Sequence, residues 1–219
     1  MIKRINIFAF AALFVFSMNI FAQDNEAKLN DILSKIEAAD KKVNTAEISY
    51  SQEIFYSSTK EKQNITGNLK YKKPDTIFIV QKTPQEQRIY IEGKKITIYT
   101  PENAQAVIDN WKDVINGDFT VASMVNFGSS WKTIKKDNSV SYVGEDDKNY
   151  IIEITPAKKS DWNMQLHIDK TSFLASKAVV TAAGLAVTVN ISEYKINQKF
   201  KKDIFKFKHS EGVEVIELN

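Results

Sequence analysis

Reactive side chains are sparse in this sequence, and their spacing limits the chemistry they could do. The 219 residues contain no cysteine, which removes disulfides, thiol nucleophiles and cysteine-ligated zinc together. The two histidines, His167 and His209, stand 42 positions apart, too far for a His-x-x-x-His or HExxH metal pair on one helix. Glycines fall at 67, 93, 117, 128, 144, 184 and 212, never closer than 11 residues, so neither a phosphate-cradling P-loop nor a dinucleotide GxGxxG can be drawn. There is no GxSxG nucleophile elbow, and the densest acidic cluster, Glu145-Asp146-Asp147, reads as a solvated turn between strands. A hydrolase built on one histidine therefore has little to stand on. The expectation is a protein without enzymatic activity, metal or cofactor, working by apolar and shape complementarity.

The N-terminus belongs to targeting. Lys3 and Arg4 form a short positive region, residues 5–21 are almost unbroken apolar, and Ala22 is the small residue before a cut ahead of Gln23. This is the pattern of a secretory signal peptide over residues 1–22, cleaved near Ala22; the rival reading is an uncleaved anchor. Lipidation would need a cysteine after the cut. Without Lys3 and Arg4, the 30 basic residues fall to 28 against 27 acidic ones. Such a near-neutral exported chain is not a nucleic-acid binder. Residues 23–219 suffice for a single domain, and export without cysteine suits the periplasm, with stability from packing alone.

The elements that would position any site follow from periodicity. Residues 24–43 place Leu29, Ile32, Leu33, Ile36 and Val43 on one stripe, predicting an amphipathic helix with Asp24 as its N-cap. From Thr45 the period changes to two. Strands are expected around 48–55, 65–71, 77–80, 88–91 and 95–99, then a loop over 101–111 and a short helix over 118–126 carrying Phe119, Ala122 and Val125. Five more strands are expected at 139–143, 150–155, 162–168, 175–181 and 186–194. In the third of these, Trp162, Met164, Leu166 and Ile168 form a dry face and Asn163, Gln165, His167 and Asp169 a wet one, which puts His167 in solvent. The fold class is α+β, mainly β: a large curved antiparallel sheet, an open, incomplete β-barrel, with helices covering its concave face.

Four segments carry a family likeness. Gly67-Asn68-Leu69-Lys70-Tyr71-Lys72-Lys73-Pro74 resembles the Gly-x-Leu-x-aromatic-x-basic-basic-Pro segment of the periplasmic outer-membrane lipoprotein carrier family, LolA. Tyr50-Ser51-Gln52 resembles that family's Phe-x-Gln, and the run from Glu92-Gly93-Lys94 to Pro101 its Asp-Gly-Lys hairpin. Phe205-Lys206-Phe207 with Gly212-Val213-Glu214-Val215 is similar to its terminus. The resemblance implies a monomeric carrier that binds the acyl chains of lipoproteins in a hydrophobic cavity and shuttles them from an inner-membrane lipoprotein-releasing ABC transporter to the outer membrane, where an acceptor is a further partner. The alternative is a lipid-sensing regulator of an anti-sigma factor, similar to RseB.

The resemblance also implies a helical lid tied down by a basic residue. Lys73 stands where the family has arginine, and lysine offers three mobile donors in place of a planar fork, so a lysine latch is looser; the competing reading of Lys73 is a solvated residue before a proline. Parity sends Leu69, Tyr71, Ile77 and Ile79 to one face. These are the expected cavity lining, with Leu33 and Ile36 of the first helix and Phe119, Met124 and Val125 of the middle helix as cover. A lipid cavity and a filled core call for the same residue types, so both readings stay open here. Phe78 and Val80, apolar at the opposite parity, imply that the outer face is partly covered too. The C-terminal lysines 195, 199, 201, 202, 206 and 208 suit either a solvated edge or a docking patch for an anionic surface.

Overall fold

Alternating β-branched and aromatic residues draw the chain into one twelve-stranded sheet, seen in a computed structural model that describes residues 11–110, 131–158, 162–209 and 211–218, with side chains of the first helix from residue 24. Helix α1 (Ala11–Lys42) leads into β1 (Thr45–Tyr56), β2 (Lys62–Lys72), β3 (Thr76–Thr83), β4 (Gln87–Glu92), β5 (Lys95–Thr100) and β6 (Gln105–Asn110). A two-turn helix, α2 (Trp131–Asp137), precedes β7 (Asn138–Glu145), β8 (Asn149–Pro156), β9 (Asn163–Asp169), β10 (Ala175–Ala182), β11 (Leu185–Ile196) and β12 (Glu214–Glu217). The strand order is β12-β6-β5-β4-β3-β2-β1-β11-β10-β9-β8-β7. Every pairing is antiparallel except β12 with β6. β7 and β12 are the two edges, so the sheet is open, as the sequence reading expected.

The inner face carries the core. Across the first half, Ile48, Leu69 and Ile79 lie opposite one another in successive strands, as do Ala46, Tyr71, Ile77, Ile91 and Ile96. Beyond β1 the same face continues through Val189, Ala178, Leu166 and Ile152. Burial on the order of 1.5–3 kcal/mol for each isoleucine, leucine and valine of these rows makes the register costly to slip, because one step would turn every one of them outward.

Helix α1 covers the far end of this face. Its stripe of Leu29, Ile32, Leu33 and Ile36 packs with Ile152, Ile154, Leu166 and Ile168 and with Trp131 of α2. The α2 N-terminus is fixed where the Trp131 N–H donates to the Glu37 carboxylate at 3.2 Å. Asp24 is not an N-cap, because the helix is already continuous from Ala11: helix-forming residues precede Asp24 without a Gly or Pro to stop them. No helix of the described residues is long and apolar enough to cross a membrane.

Two strands escape the sequence reading. The stretch expected as a loop over 101–111 contains β6, which has little alternation of its own and is held by β5 on one side and β12 on the other. The C-terminal segment first crosses the outer face of β3 to β5: Phe207 meets Tyr90 and Tyr99 at ring-centroid distances of 5.8 and 5.5 Å, Tyr90 stacks on Phe78 at 4.8 Å, and Phe205 is buried. It then adds β12 beside β6, with the Glu214 N–H on the Ala104 carbonyl at 2.8 Å. Phe78 is thus covered from outside by the chain's own terminus. The short helix expected over 118–126 lies outside the described residues.

His167 is not in solvent. Its side chain is only 15 % exposed, with Nδ1 3.9 Å from Asp146, because Ile151 and Lys177 flank it across β8 and β10. Burial first, then the Lys177 charge, lower its pKa, against the pull of Asp146. Asp146 itself closes the acidic turn, accepting the backbone N–H groups of Lys148 and Asn149 at 2.8 and 2.7 Å.

Candidate lipid-binding face

The segment 67–79 brings four predicted lining residues together. β2 and β3 pair Leu69 with Ile79 and Tyr71 with Ile77, and all four are buried on the inner face beside Ile48, Ile91 and Ile96. Leu33 and Ile36 are buried against β8 and β9 instead. They share the face but not the patch; Met164 packs against both groups. Phe119, Met124 and Val125 lie outside the described residues.

Glycine at 67 is dictated by a neighbour. β1 sets Tyr50 directly opposite Gly67, and a Cβ there would stand 2.8 Å from Tyr50 Cζ, 2.7 Å from its Oη and 2.6 Å from the Val80 carbonyl oxygen. The tyrosine ring therefore lies over the backbone of β2 and adds to the apolar floor. Gln52 continues the same parity and is 7 % exposed; its residue type does not mark it as a site residue, although the buried positions 46, 48 and 50 on one strand point to it.

Lys73 reaches the end of α1. Its Nζ donates to the carbonyls of Lys41 at 3.4 Å and Asp40 at 3.5 Å, while its backbone N–H donates to Asn44 at 2.9 Å. A cation at the C-terminal carbonyls of a helix complements the negative end of its dipole. Asp40, in the same turn, is half-buried, and burial pushes its carboxyl up to about 6, with Glu37 adding to the rise and Lys73 opposing it. Tyr71 donates its hydroxyl to the Pro74 carbonyl at 3.1 Å and Tyr194 donates to Ala175 at 2.7 Å. The arrangement offers an extended apolar surface, one tethered helix and no converging metal ligands among the described residues.

Residues 41–208 match the family model described as outer membrane lipoprotein carrier protein LolA. The chain belongs to the LolA family. An outer-membrane lipoprotein carrier protein of Pasteurella multocida is 30 % identical over 189 residues, covering 84 % of this chain and 86 % of the relative. One from Haemophilus influenzae is 25 % identical over 209 residues, covering 94 % of each chain. An uncharacterized conserved protein of Thermus thermophilus shares the fold with a TM-score of 0.57 at 12 % identity, covering 86 % of this chain and 98 % of that one. The order of the LolA-like segments noted in the sequence thus runs along a LolA-type open sheet.

Proposed function

We propose that this chain is a periplasmic carrier that shelters the acyl chains of lipoproteins on the inner face of its sheet and moves them from an inner-membrane lipoprotein-releasing ABC transporter to an outer-membrane acceptor. The observation that carries the reading is the inner face itself, whose buried rows from Ile96 of β5 to Val187 of β11 are apolar apart from Gln52 of β1. Membership in the lipoprotein carrier family supports it.

An acyl chain of about 15 methylenes, at about 0.8 kcal/mol each, costs about 12 kcal/mol to hold in water. A shuttle must remove that cost and later restore access to the chain. In this reading Leu69, Tyr71, Ile77 and Ile79 line the cavity, α1 with Leu33 and Ile36 is a cover, Phe119, Met124 and Val125 complete it, and Lys73 is the latch on α1. Residues 1–22 direct export and are cut near Ala22.

The test is purification from an envelope extract with mass spectrometry of bound lipopeptide, beside Ile77→Glu. A charge at the centre of the lining is expected to abolish lipopeptide recovery while the fold persists. Wild-type recovery by the glutamate variant would overturn the assignment of this face.

A further inference from the structure

The inner face is apolar but not featureless. Gln52 sits near its middle, directly opposite Ile65 of β2 and Val189 of β11, both members of the buried cluster that includes Tyr50. Gln52 is 7 % exposed as a residue, and its side-chain amide has no hydrogen-bond partner among the described residues. Tyr50, two residues earlier on the same face, is 6 % exposed, and its hydroxyl likewise has no partner among them.

This is unusual within the same molecule. The other tyrosines of this cluster are satisfied, buried Tyr71 by Pro74 and partly buried Tyr194 by Ala175. Buried polar groups in folded proteins are almost always paired, and an unpaired one calls for a missing partner. Burial pushes the Tyr50 phenol up to about 12, so it stays a neutral O–H donor at any physiological pH. Two residues of extended strand separate the two Cα atoms by about 7 Å, and the Tyr50 ring reaches over Gly67 of β2, so two donors stand on neighbouring parts of an otherwise dry surface.

A methylene chain passing over β1 cannot satisfy either donor; a carbonyl can. We propose that the Gln52 amide and the Tyr50 hydroxyl are the polar anchor of the cargo site, donating to the ester or amide carbonyls that join acyl chains to their headgroup. The inference rests on the carrier reading above and deepens it: the face would hold the chains by their attachment point and so discriminate acyl from alkyl cargo. Tyr50 stands where the resembling Phe-x-Gln segment has phenylalanine, so its hydroxyl is a contribution of this chain.

The experiment measures Kd of the purified protein for four amphiphiles of equal chain length: a diacyl lipopeptide and its dialkyl-ether analogue, and a diacyl phosphatidylethanolamine and its dialkyl-ether analogue. Each satisfied donor is expected to favour ester over ether by about three- to tenfold. Tyr50→Phe is expected to lower that ratio and Gln52→Leu with Tyr50→Phe to bring it near one; Gln52→Met is measured alongside, so that a packing defect in one variant does not decide the result. A preference in the lipopeptide pair alone supports the anchor with lipoprotein as its source. The same preference in both pairs supports an anchor for any ester-linked chain. A wild-type ratio of one in both pairs, or a ratio that persists in both Gln52 variants, overturns the anchor while tight binding would leave the carrier reading standing. Failure of the wild type to bind any of the four would overturn both.

Discussion

The ring of Tyr50 occupies the space that a side chain at position 67 would need, with Tyr50 Oη only 2.7 Å from where a Cβ would be. Gly67→Ala must therefore displace Tyr50 or the Val80 carbonyl, which is closer still at 2.6 Å. Overpacking of this kind costs about 1–3 kcal/mol, or roughly 3–10 °C in Tm for a domain of this size. Adding Tyr50→Ala is expected to recover only part of the loss, since the Val80 carbonyl is backbone. Thermal melts of the single and double variants check this; full recovery would place the conflict on the ring alone.

Lys73 and the last turn of α1 make a second coupled pair. The amine spans two carbonyls at 3.4 and 3.5 Å, long contacts for a point charge. Lys73→Arg brings a planar fork able to hold both at once, and is expected to slow hydrogen exchange in residues 37–42 and delay cargo release about three- to tenfold. Lys73→Met is expected to do the reverse. Amide exchange by mass spectrometry reads the first effect, and transfer of a fluorescent lipopeptide to acceptor vesicles the second; unchanged exchange in both variants would remove the latch.

Asp40 supplies a pH dependence with a definite sign. Its carboxyl is raised from 3.8 to about 6 in the folded chain, so between those values the folded form keeps a proton that the unfolded form has lost. Stability from this group is present below about 4, declines as pH rises, and is gone above about 6. Because the side chain is only half-buried, the cost at neutral pH is discounted to about 1–2 kcal/mol. Asp40→Asn is expected to raise Tm by about 2–6 °C at pH 7.5 and to leave it unchanged near pH 3.5. A difference of the same size at both pH values would contradict the burial of Asp40.

Most of the architecture was legible because it is written in local periodicity. The 3.6-residue stripe of Leu29 to Ile36 and the alternation of 69, 71, 77 and 79 name their own faces, and each is buried as its parity requires. What periodicity does not encode is pairing. β6 is held by β5 and β12, and β12 by β6 alone, and a four-residue strand has too few positions to show a period. Likewise Phe78 and Val80 announced that something covers the outer face, but only the path of the C-terminal segment shows what. Gln52 was hidden by its residue type: a glutamine at a buried parity reads as an exception until its neighbours, Ile65 and Val189, are placed beside it.

The C-terminal crossing separates stability from binding. Phe207 touches Tyr90 and Tyr99 on the face opposite the apolar lining, and the segment it anchors delivers β12 to the edge of β6. Phe207→Ala removes two aromatic contacts and part of a buried side chain, about 2–4 kcal/mol for a site still partly open to solvent. The loss should appear first as rapid amide exchange in β12 and in β6, whose outer edge it protects. Because none of these groups reaches the inner face, lipopeptide affinity at 25 °C is expected to stay within about twofold of wild type, whereas Ile77→Glu should lose binding. If Phe207→Ala weakened binding as severely as Ile77→Glu at a temperature where both remain folded, the two faces of the sheet would not be independent and the lining would have to extend around the edge at β6.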